Sequence, residues 1–290
     1  MADWDVVVIG GGAAGLSAAA AVAEAGRACL VIDRMGGGGT LMNLGPLQDV
    51  AGSSSGPELA ARLLEEAVAA GAELNVAEVT GLIRAGDIWR ISTDDEAHTA
   101  RAVILAVGLA PGTLGLPDEA RFEGQGLSHC AACDGPLYAG QPVVVAGTDQ
   151  WAVAEARELA AASAVFLVTQ GAPSPKLEGV TVLPGRIIAL DGTTGLEAVA
   201  VQLEGGAVVR QPAGAVFVQS GRRPGLGFAR EDVRRDAEGR LITDDRLGCG
   251  LPGLFAAGDA RAGAPRALAS AMADGRAAAV SAISGVAPPL

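Results

Sequence analysis

The chain has 290 residues, which at about 150 residues per domain indicates two domains. Half of the residues are apolar, 19% are charged and the mean hydropathy is +0.35, which excludes intrinsic disorder. The net charge is -12 and aromatic residues make up 3% of the chain, so nucleic acid and anionic membranes are poor partners, because a polyanion would be repelled.

The start of the chain and its cysteines point to a cytoplasmic protein. No basic region with a cleavage site precedes the first apolar run at Val6, so we expect no secretory signal. The longest apolar stretch, 13–23, ends at Glu24 and is too short to span a bilayer. Four cysteines in a chain of this length do not form a disulfide framework. We therefore expect a soluble protein in the cytoplasm.

Buried strands and helices alternate in the first third of the chain, a pattern typical of α/β folds with parallel sheets. The run 5–9, which is continuously apolar from Val6 onward, predicts a strand buried on both faces, and an alanine-rich helix follows until Gly26. The next predicted elements are a strand at 29–32, a helix from Pro57 to Gly71, and strands at 87–91 and 102–107.

A segment with two prolines and two glycines, 109–117, predicts a linker. After it the strand–turn–helix pattern restarts, and the predicted elements are a strand at 143–146, a helix to about Ala162, a strand at 165–168, short strands over roughly 180–219, a strand at 254–257 and a helix at 266–283. The predicted fold class is α/β, with two Rossmann-like three-layer units, the second inserted into the first.

The strongest motif is Gly-x-Gly-x-x-Gly at Gly10, Gly12 and Gly15. It follows an apolar strand, opens a helix and has an acid, Asp33, at the end of the next strand, which together make the dinucleotide fingerprint. The first glycine allows the turn, the second lets the backbone approach a pyrophosphate, and the third permits close packing of helix on sheet. Asp33 would accept hydrogen bonds from the ribose. The alternative is a glycine-rich turn without a ligand.

Cys130 and Cys133 form a Cys-x-x-Cys pair flanked by His129 and Asp134. Two thiols at this spacing can close a disulfide, and their reactivity follows their thiolate character. A zinc site would need a second ligand pair, which the two remaining, isolated cysteines do not supply. A pair of buried, inert cysteines is the other alternative, but a setting rich in glycine, proline and aspartate favours redox chemistry. We predict no metal site.

The turn after the strand 143–146 departs from the dinucleotide motif. Its central glycine is replaced by Thr148 or Asp149, depending on the frame, and Asp149 would place a carboxylate near the position of a pyrophosphate. The strand 165–168 is followed by neither an acid for a ribose nor an arginine cluster for a 2′-phosphate. We favour a unit retained as scaffold over a working nicotinamide site.

Together these residues resemble the low-molecular-weight thioredoxin reductases and their relatives in the pyridine nucleotide-disulfide oxidoreductase superfamily. The resemblance covers nearly the whole chain and is carried by the segments 8–15, 38–41, 102–108, 128–135, 221–224 and 254–259. It implies an FAD-binding domain formed by residues 1–112 and 243–290, and a degenerate NAD(P)-type domain, 113–242, that carries the dithiol.

The resemblance also implies which residues bind the FAD. They lie at the first phosphate turn, at the ends of the neighbouring strands and in the last strand–turn–helix segment: Gly10, Gly12, Ala13, Ala14, Gly15, Asp33, Arg34, Gly39, Thr40, Leu41, Asp49, Val79, Ala106, Val107, Gly108, Gly258, Asp259, Arg266 and Ala267.

By the same resemblance each residue around the dithiol has a role. Cys133 would lie nearest the flavin as the charge-transfer thiolate, Cys130 would attack a partner disulfide, and Asp134 would be the acid and base. His129 adjoins the pair and would influence its thiolate fraction, with a solvated loop histidine as the alternative reading. A homodimer is also implied.

Several positions depart from the family's pattern. The His-Arg-Arg segment that holds the 2′-phosphate of NADPH has no counterpart after Val168. Thr40 stands where glutamine is usual, Asp49 where asparagine often lies near the flavin, and Ala267 where glutamine usually follows the arginine. These changes leave the flavin side intact with altered potential or access, and they argue against a working nicotinamide side.

The sequence therefore predicts an FAD-dependent thiol-disulfide oxidoreductase that does not use NADPH. Its donor would be a ferredoxin or another flavoprotein, and its partner a thioredoxin-like protein or a small disulfide or dithiol. Three alternatives stay open: an O2-dependent dithiol oxidase that forms disulfides, an ordinary NADPH-thioredoxin reductase, and a flavin redox sensor without turnover.

Overall fold

The computed structural model describes residues 2–45, 47, 52, 55–229 and 233–285. The chain divides into two units, of which unit 1 comprises residues 1–110 and 223–290 and unit 2 comprises residues 111–222. Unit 2 is inserted into unit 1, and each unit contains a parallel sheet with helices. The predicted α/β fold class with an inserted second Rossmann-like unit is confirmed.

The chain returns to unit 1 at Arg223, whereas the resemblance places this return at residue 243. The difference arises because the intervening segment belongs to the core of unit 1. Leu226, Val233 and Leu241 are buried in the same hydrophobic cluster as Leu82.

Within the described residues, unit 1 holds a seven-stranded sheet in the order β3-β2-β1-β6-β5-β4, with β15 paired to β6. Its strands are β1 (Trp4–Ile9), β2 (Cys29–Ile32), β3 (Glu73–Asn75), β4 (Val79–Ala85), β5 (Ile88–Thr93), β6 (Ala97–Leu105) and β15 (Leu254–Ala256). Its helices are α1 (Ala13–Glu24), α2 (Gly56–Ala69) and α5 (Leu268–Ser284).

Apolar sequence runs explain the centre of this sheet. The last four residues of β1 and all of β2 are buried, as strands covered on both faces require. The strands β1, β2, β6 and β15 run parallel, so their carboxyl ends meet at one edge. Small residues bring α1 and α5 together on one face, since a Cβ at Gly275 would lie 2.0 Å from the Ala14 carbonyl oxygen. The helix α1 ends just before Gly26, which has a φ of 70° and supplies the predicted stop.

Unit 2 contains two sheets in the part of the chain that the structure describes. A parallel sheet has the order β10-β9-β8-β14-β7, and an antiparallel sheet has the order β11-β12-β13. The elements are β7 (Leu127–Ser128), α3 (Ala131–Asp134), β8 (Val143–Ala146), α4 (Gln150–Leu159), β9 (Val165–Val168), β10 (Val180–Leu183), β11 (Gly185–Asp191), β12 (Ala198–Leu203), β13 (Val208–Pro212) and β14 (Ala215–Val218).

The helix α4 packs against both α3 and β8 and therefore links the Cys-x-x-Cys segment to the sheet. It ends at Leu159, earlier than the predicted Ala162, because the following residues form a turn in which the Ala162 N–H donates to the Leu159 carbonyl. Among the described residues, no helix is long and apolar enough to cross a membrane.

Candidate functional site

The glycine turn of unit 1 lies between the end of β1 and the start of α1. Gly10 has a φ of 102°, and a Cβ there would lie 2.5 Å from the Ala106 carbonyl oxygen. A Cβ at Gly15 would lie 1.8 Å from the Gly10 carbonyl oxygen, so two of the three motif glycines are required by the protein's own packing. A Cβ at Gly12, in contrast, would have nothing within 4 Å. The open space at Gly12 is what the approach of a ligand phosphate to the backbone requires.

The start of α1 leaves its backbone N–H groups available to a ligand. Gly12 is the N-cap of this helix and no side chain caps it, while the first turn carries no acidic residue. A helix N-terminus of this kind attracts phosphate through its N–H groups and its dipole. The residues of this turn therefore fit the pyrophosphate of a dinucleotide.

Asp33 ties the turn to the loop after β2. One carboxylate oxygen accepts from the Gly11 N–H at 2.7 Å, and the other accepts from the N–H groups of Met35 at 2.9 Å and Gly37 at 3.1 Å. These contacts fix the carboxylate at the carboxyl end of β2, beside the glycine turn. The oxygen that accepts from Gly11 has a second lone pair with which it could accept from a ribose hydroxyl.

The structure brings most of the other predicted flavin-binding residues to this same edge of the sheet. Ala106, Val107 and Gly108 follow β6 directly, and the Ala106 N–H donates to the Ile9 carbonyl at 2.8 Å. Gly258 and Asp259 begin a short 3-10 helix after β15, and a Cβ at Gly258 would lie 2.9 Å from the Ala14 Cβ.

The remaining predicted positions lie in connecting segments. Arg34 is exposed, and the 3-10 helix Gly39–Asn43 exposes Gly39 and Thr40 while it buries Leu41. Arg266 has a φ of 54° and precedes Ala267, the N-cap of α5. Asp49 lies outside the described residues.

Val79 differs from the other predicted flavin-binding residues in its position. It is the first residue of β4 and pairs with Thr93 of β5. The residue next to the Asp33 loop is Val76, whose Cγ2 would lie 3.6 Å from a Cβ at Gly36. Val76 and Met35 both expose more than half of their surface, which makes them candidates to cover an adenine ring. Sequence reasoning missed both, since neither belongs to a motif.

The disulfide of unit 2 joins Cys130 and Cys133, with a Cα–Cα distance of 5.4 Å. Cys130 is buried at the N-cap of α3, and its sulfur accepts from the Cys133 N–H at 3.2 Å. Cys133 is exposed. The sequence places the two thiols one helical turn apart, and the structure shows them bonded.

Ser128 connects this disulfide to Asp134. Its hydroxyl donates to the Asp134 carboxylate at 2.7 Å and accepts from the Cys130 N–H at 3.1 Å. The sequence contained no signal for this serine. His129 is held at both ring nitrogens, which lie 3.3 Å from the Val218 carbonyl oxygen and 3.2 Å from a Glu123 carboxylate oxygen. The His129 ring is therefore a fixed group rather than a freely solvated one.

At the turn between β8 and α4 in unit 2, a side chain caps the N-terminus of the helix. Asp149 is the N-cap of α4, and one of its carboxylate oxygens accepts from the N–H groups of Trp151 at 3.1 Å and Ala152 at 3.0 Å. These are groups that a phosphate at a helix N-terminus would use. The corresponding N–H groups of α1 are not capped by a side chain, so the two units differ at the same place in the same motif.

No group of three or more His, Cys, Asp and Glu side chains that could hold a metal ion occurs in the described residues.

A dinucleotide-type turn in unit 1 and a Cys-x-x-Cys disulfide in unit 2 define a nucleotide-dependent disulfide oxidoreductase. Residues 4–275 match the family model for pyridine nucleotide-disulphide oxidoreductases. The chain belongs to this family, and it is a flavin-dependent disulfide oxidoreductase similar to thioredoxin reductases.

The similarity to each of the following relatives extends over nearly the full length of both chains. A thioredoxin reductase of Treponema pallidum is 34% identical, over 97% of each chain. The solved thioredoxin reductase of Lactococcus lactis has a TM-score of 0.90 at 28% identity, covering 98% of this chain and 99% of that one. A solved ferredoxin-flavin thioredoxin reductase of Clostridium acetobutylicum has a TM-score of 0.55 at 25% identity, over 97% of each chain.

Proposed function

We propose that this protein is an FAD enzyme that relays electrons between its flavin and the Cys130–Cys133 disulfide without NADPH as the donor. Its partner is a thioredoxin-like protein or a small disulfide or dithiol, and its electrons come from a ferredoxin or another flavoprotein. A homodimer in the cytoplasm is part of the proposal.

The binding of FAD is supported by the glycine turn of unit 1. Gly12 leaves room for the pyrophosphate, the α1 N-terminus attracts it, and Asp33 stands where the ribose of the adenosine half would lie. The residues after β6 and β15 close the same edge of the sheet. A bound flavin supplies two-electron chemistry, while these residues bind and orient it.

The exclusion of NADPH rests on one observation, the Asp149 carboxylate at the N-terminus of α4. It already satisfies the Trp151 and Ala152 N–H groups and carries a negative charge where the pyrophosphate would arrive. At a separation of about 4 Å, two like charges near a protein surface repel by about 4 kcal/mol. The Asp149 carboxylate would therefore weaken the binding of a pyrophosphate unless a nearby cation offset this repulsion. The same motif in unit 1 carries neither the charge nor the cap.

The donor and the partner are drawn from the relatives. The Treponema and Lactococcus proteins are thioredoxin reductases, which supports a thioredoxin-type partner. The Clostridium relative is a ferredoxin-flavin thioredoxin reductase, which supports a ferredoxin-type donor for a chain whose second turn is closed.

The experiment is an anaerobic titration of the flavin in the purified holoenzyme. We expect that NADPH and NADH leave the visible absorbance of the flavin unchanged over minutes, whereas a reduced ferredoxin removes it. Addition of oxidised thioredoxin should then restore the absorbance and release thioredoxin thiols. Bleaching of the wild-type flavin by NADPH within seconds would overturn the proposal.

Two variants identify the cause of the exclusion. Asp149→Gly removes both the charge and the cap, whereas Asp149→Asn keeps a cap and removes only the charge. If charge excludes the nucleotide, both variants bind NADPH more tightly than the wild type. If the occupied N–H groups exclude it, only Asp149→Gly does.

A further inference from the structure

A carboxylate on α4 holds the backbone on both sides of Cys130. The backbone N–H of Ala131, the residue after Cys130, acts on the Glu155 carboxyl and lowers its pKa. The Gln219 side-chain amide donates to Glu155 at 2.7 Å and to the carbonyl of His129, the residue before Cys130, at 3.1 Å. The two peptide groups that flank the buried cysteine are thereby connected to one carboxylate.

This connection is itself supported from β14. Gln219 is buried, with 1% of its surface exposed, and its amide oxygen accepts from the Arg222 guanidinium. Arg222 in turn lies over the Trp151 ring, 5.7 Å from its centroid. A buried amide with all of these partners holds one orientation, because losing any of them would leave a polar atom unsatisfied.

The charged and titratable groups around Glu155 come from α4 itself and from some of the segments that pack on it. Arg222 follows β14, Glu158 lies on α4 itself, and α3 contributes the disulfide and Asp134. The next turn contributes Tyr138, whereas β8 and β9 present apolar residues only. Burial raises the pKa of the Glu155 carboxyl to about 7, against the lowering effects of the Ala131 N–H, Arg222 and Gln219.

We propose that Glu155, oriented by Gln219, is a positioning residue for Cys130 that also takes up a proton when the disulfide opens. The Glu155 carboxylate acts on the backbone of Ala131, the residue next to Cys130. Negative charge that develops on the reduced cysteine pair therefore raises the pKa of Glu155. Like charges close together cannot both be ionised without cost, and the proton is shared between them.

The exchange with an external dithiol is balanced as follows. The Cys130–Cys133 bond breaks, and the external dithiol becomes a disulfide and gives up two electrons and two protons. One proton remains on one cysteine sulfur, and the other is held by either the second sulfur or Glu155. The proposal does not rest on the absence of NADPH, since this exchange is the same whichever donor reduces the flavin.

The test measures the equilibrium between the holoenzyme disulfide and dithiothreitol buffers as a function of pH. After acid quenching, alkylation and mass analysis report the fraction of the Cys130–Cys133 pair that is reduced. In the wild type, reduction should become more favourable at acid pH, by about tenfold for each unit by which the Glu155 pKa rises on reduction. In Glu155→Gln this component of the pH dependence is lost.

Glu158→Gln is the matched control, since it removes the same charge from the same helix without touching the α3 backbone. Because Glu158 raises the Glu155 pKa, this variant should keep the pH-dependent component, with its inflection moved to lower pH. Gln219→Met provides a second test. It removes a hydrogen bond that lowers the Glu155 pKa, so the inflection of the profile should move to higher pH.

Infrared difference spectra of the reduced and oxidised holoenzyme supply a readout that a purely structural role would not change. A protonated carboxyl band should appear on reduction in the wild type and in Glu158→Gln, and be absent in Glu155→Gln. Superimposed pH profiles of Glu155→Gln and the wild type would overturn the proposal, as would an inflection that Gln219→Met leaves in place.

Discussion

Replacing Gly12 by alanine separates the approach of a ligand from the packing of the protein. Gly12 has an extended backbone, with φ −80° and ψ −171°, and an added Cβ meets nothing within 4 Å. The unfolding free energy of the flavin-free protein should therefore change by less than about 1 kcal/mol. The methyl group would stand where the pyrophosphate meets the backbone, so flavin affinity should fall at least tenfold, or about 1.4 kcal/mol.

Gly15→Ala is the control for this prediction. Its Cβ would lie 1.8 Å from the Gly10 carbonyl oxygen, so the helix and the turn must move apart even without a ligand. Overpacking of this kind costs about 3 kcal/mol, which urea denaturation of the flavin-free protein would measure. Flavin titration followed by fluorescence gives the affinities. The reasoning fails if Gly12→Ala binds flavin as tightly as the wild type, or if Gly15→Ala leaves the flavin-free protein equally stable.

Three further predictions concern buried groups. Trp89→Phe removes the indole N–H that donates to the Pro252 carbonyl at 3.1 Å, and should cost about 2 kcal/mol in urea denaturation; an unchanged midpoint would contradict this. The Glu155 pKa of about 7 lies above its unfolded value, so the folded state binds the extra proton and the unfolding free energy falls as pH rises from about 4.5 to about 7. At about 1.4 kcal/mol per unit of pKa this fall amounts to about 3 kcal/mol; Glu155→Gln should remove it, and an identical slope would refute the prediction. Burial raises the pKa of the Cys29 and Cys249 thiols to about 12. The oxidised native protein should therefore show no thiol that reacts with Ellman's reagent, whereas the denatured protein should show two reactive thiols. Rapid labelling of either cysteine in the native state would contradict this.

Much of the fold could be predicted because its signals are local. Continuous apolar runs predicted β1, β2 and β8, and the glycine at position 26 and the proline at position 57 predicted where α1 ends and α2 begins. Restarting of the strand–turn–helix pattern after the linker predicted the inserted second unit. The return of the chain at Arg223 could not be predicted, because the segment after it has no periodic pattern and joins unit 1 only through the burial of scattered residues such as Leu226 and Leu241.

The candidate site divides in the same way. The spacing of Gly10, Gly12 and Gly15 predicted the turn, and the structure separates them by role, since two are needed for packing and one faces open space. The sequence also showed that Asp149 replaces a glycine, but only the structure showed that its carboxylate caps α4.

The sequence by itself therefore determined the fold class, the glycine turn and the Cys-x-x-Cys pair, because each depends on residues that are close along the chain. The tertiary structure alone decided what surrounds Cys130. Glu155 and Gln219 are 64 residues apart in sequence, and their 2.7 Å hydrogen bond exists only because α3, α4 and β14 share one buried cluster. A contact between distant residues leaves no periodicity or spacing in a single sequence, and so it could be seen only once the chain was folded.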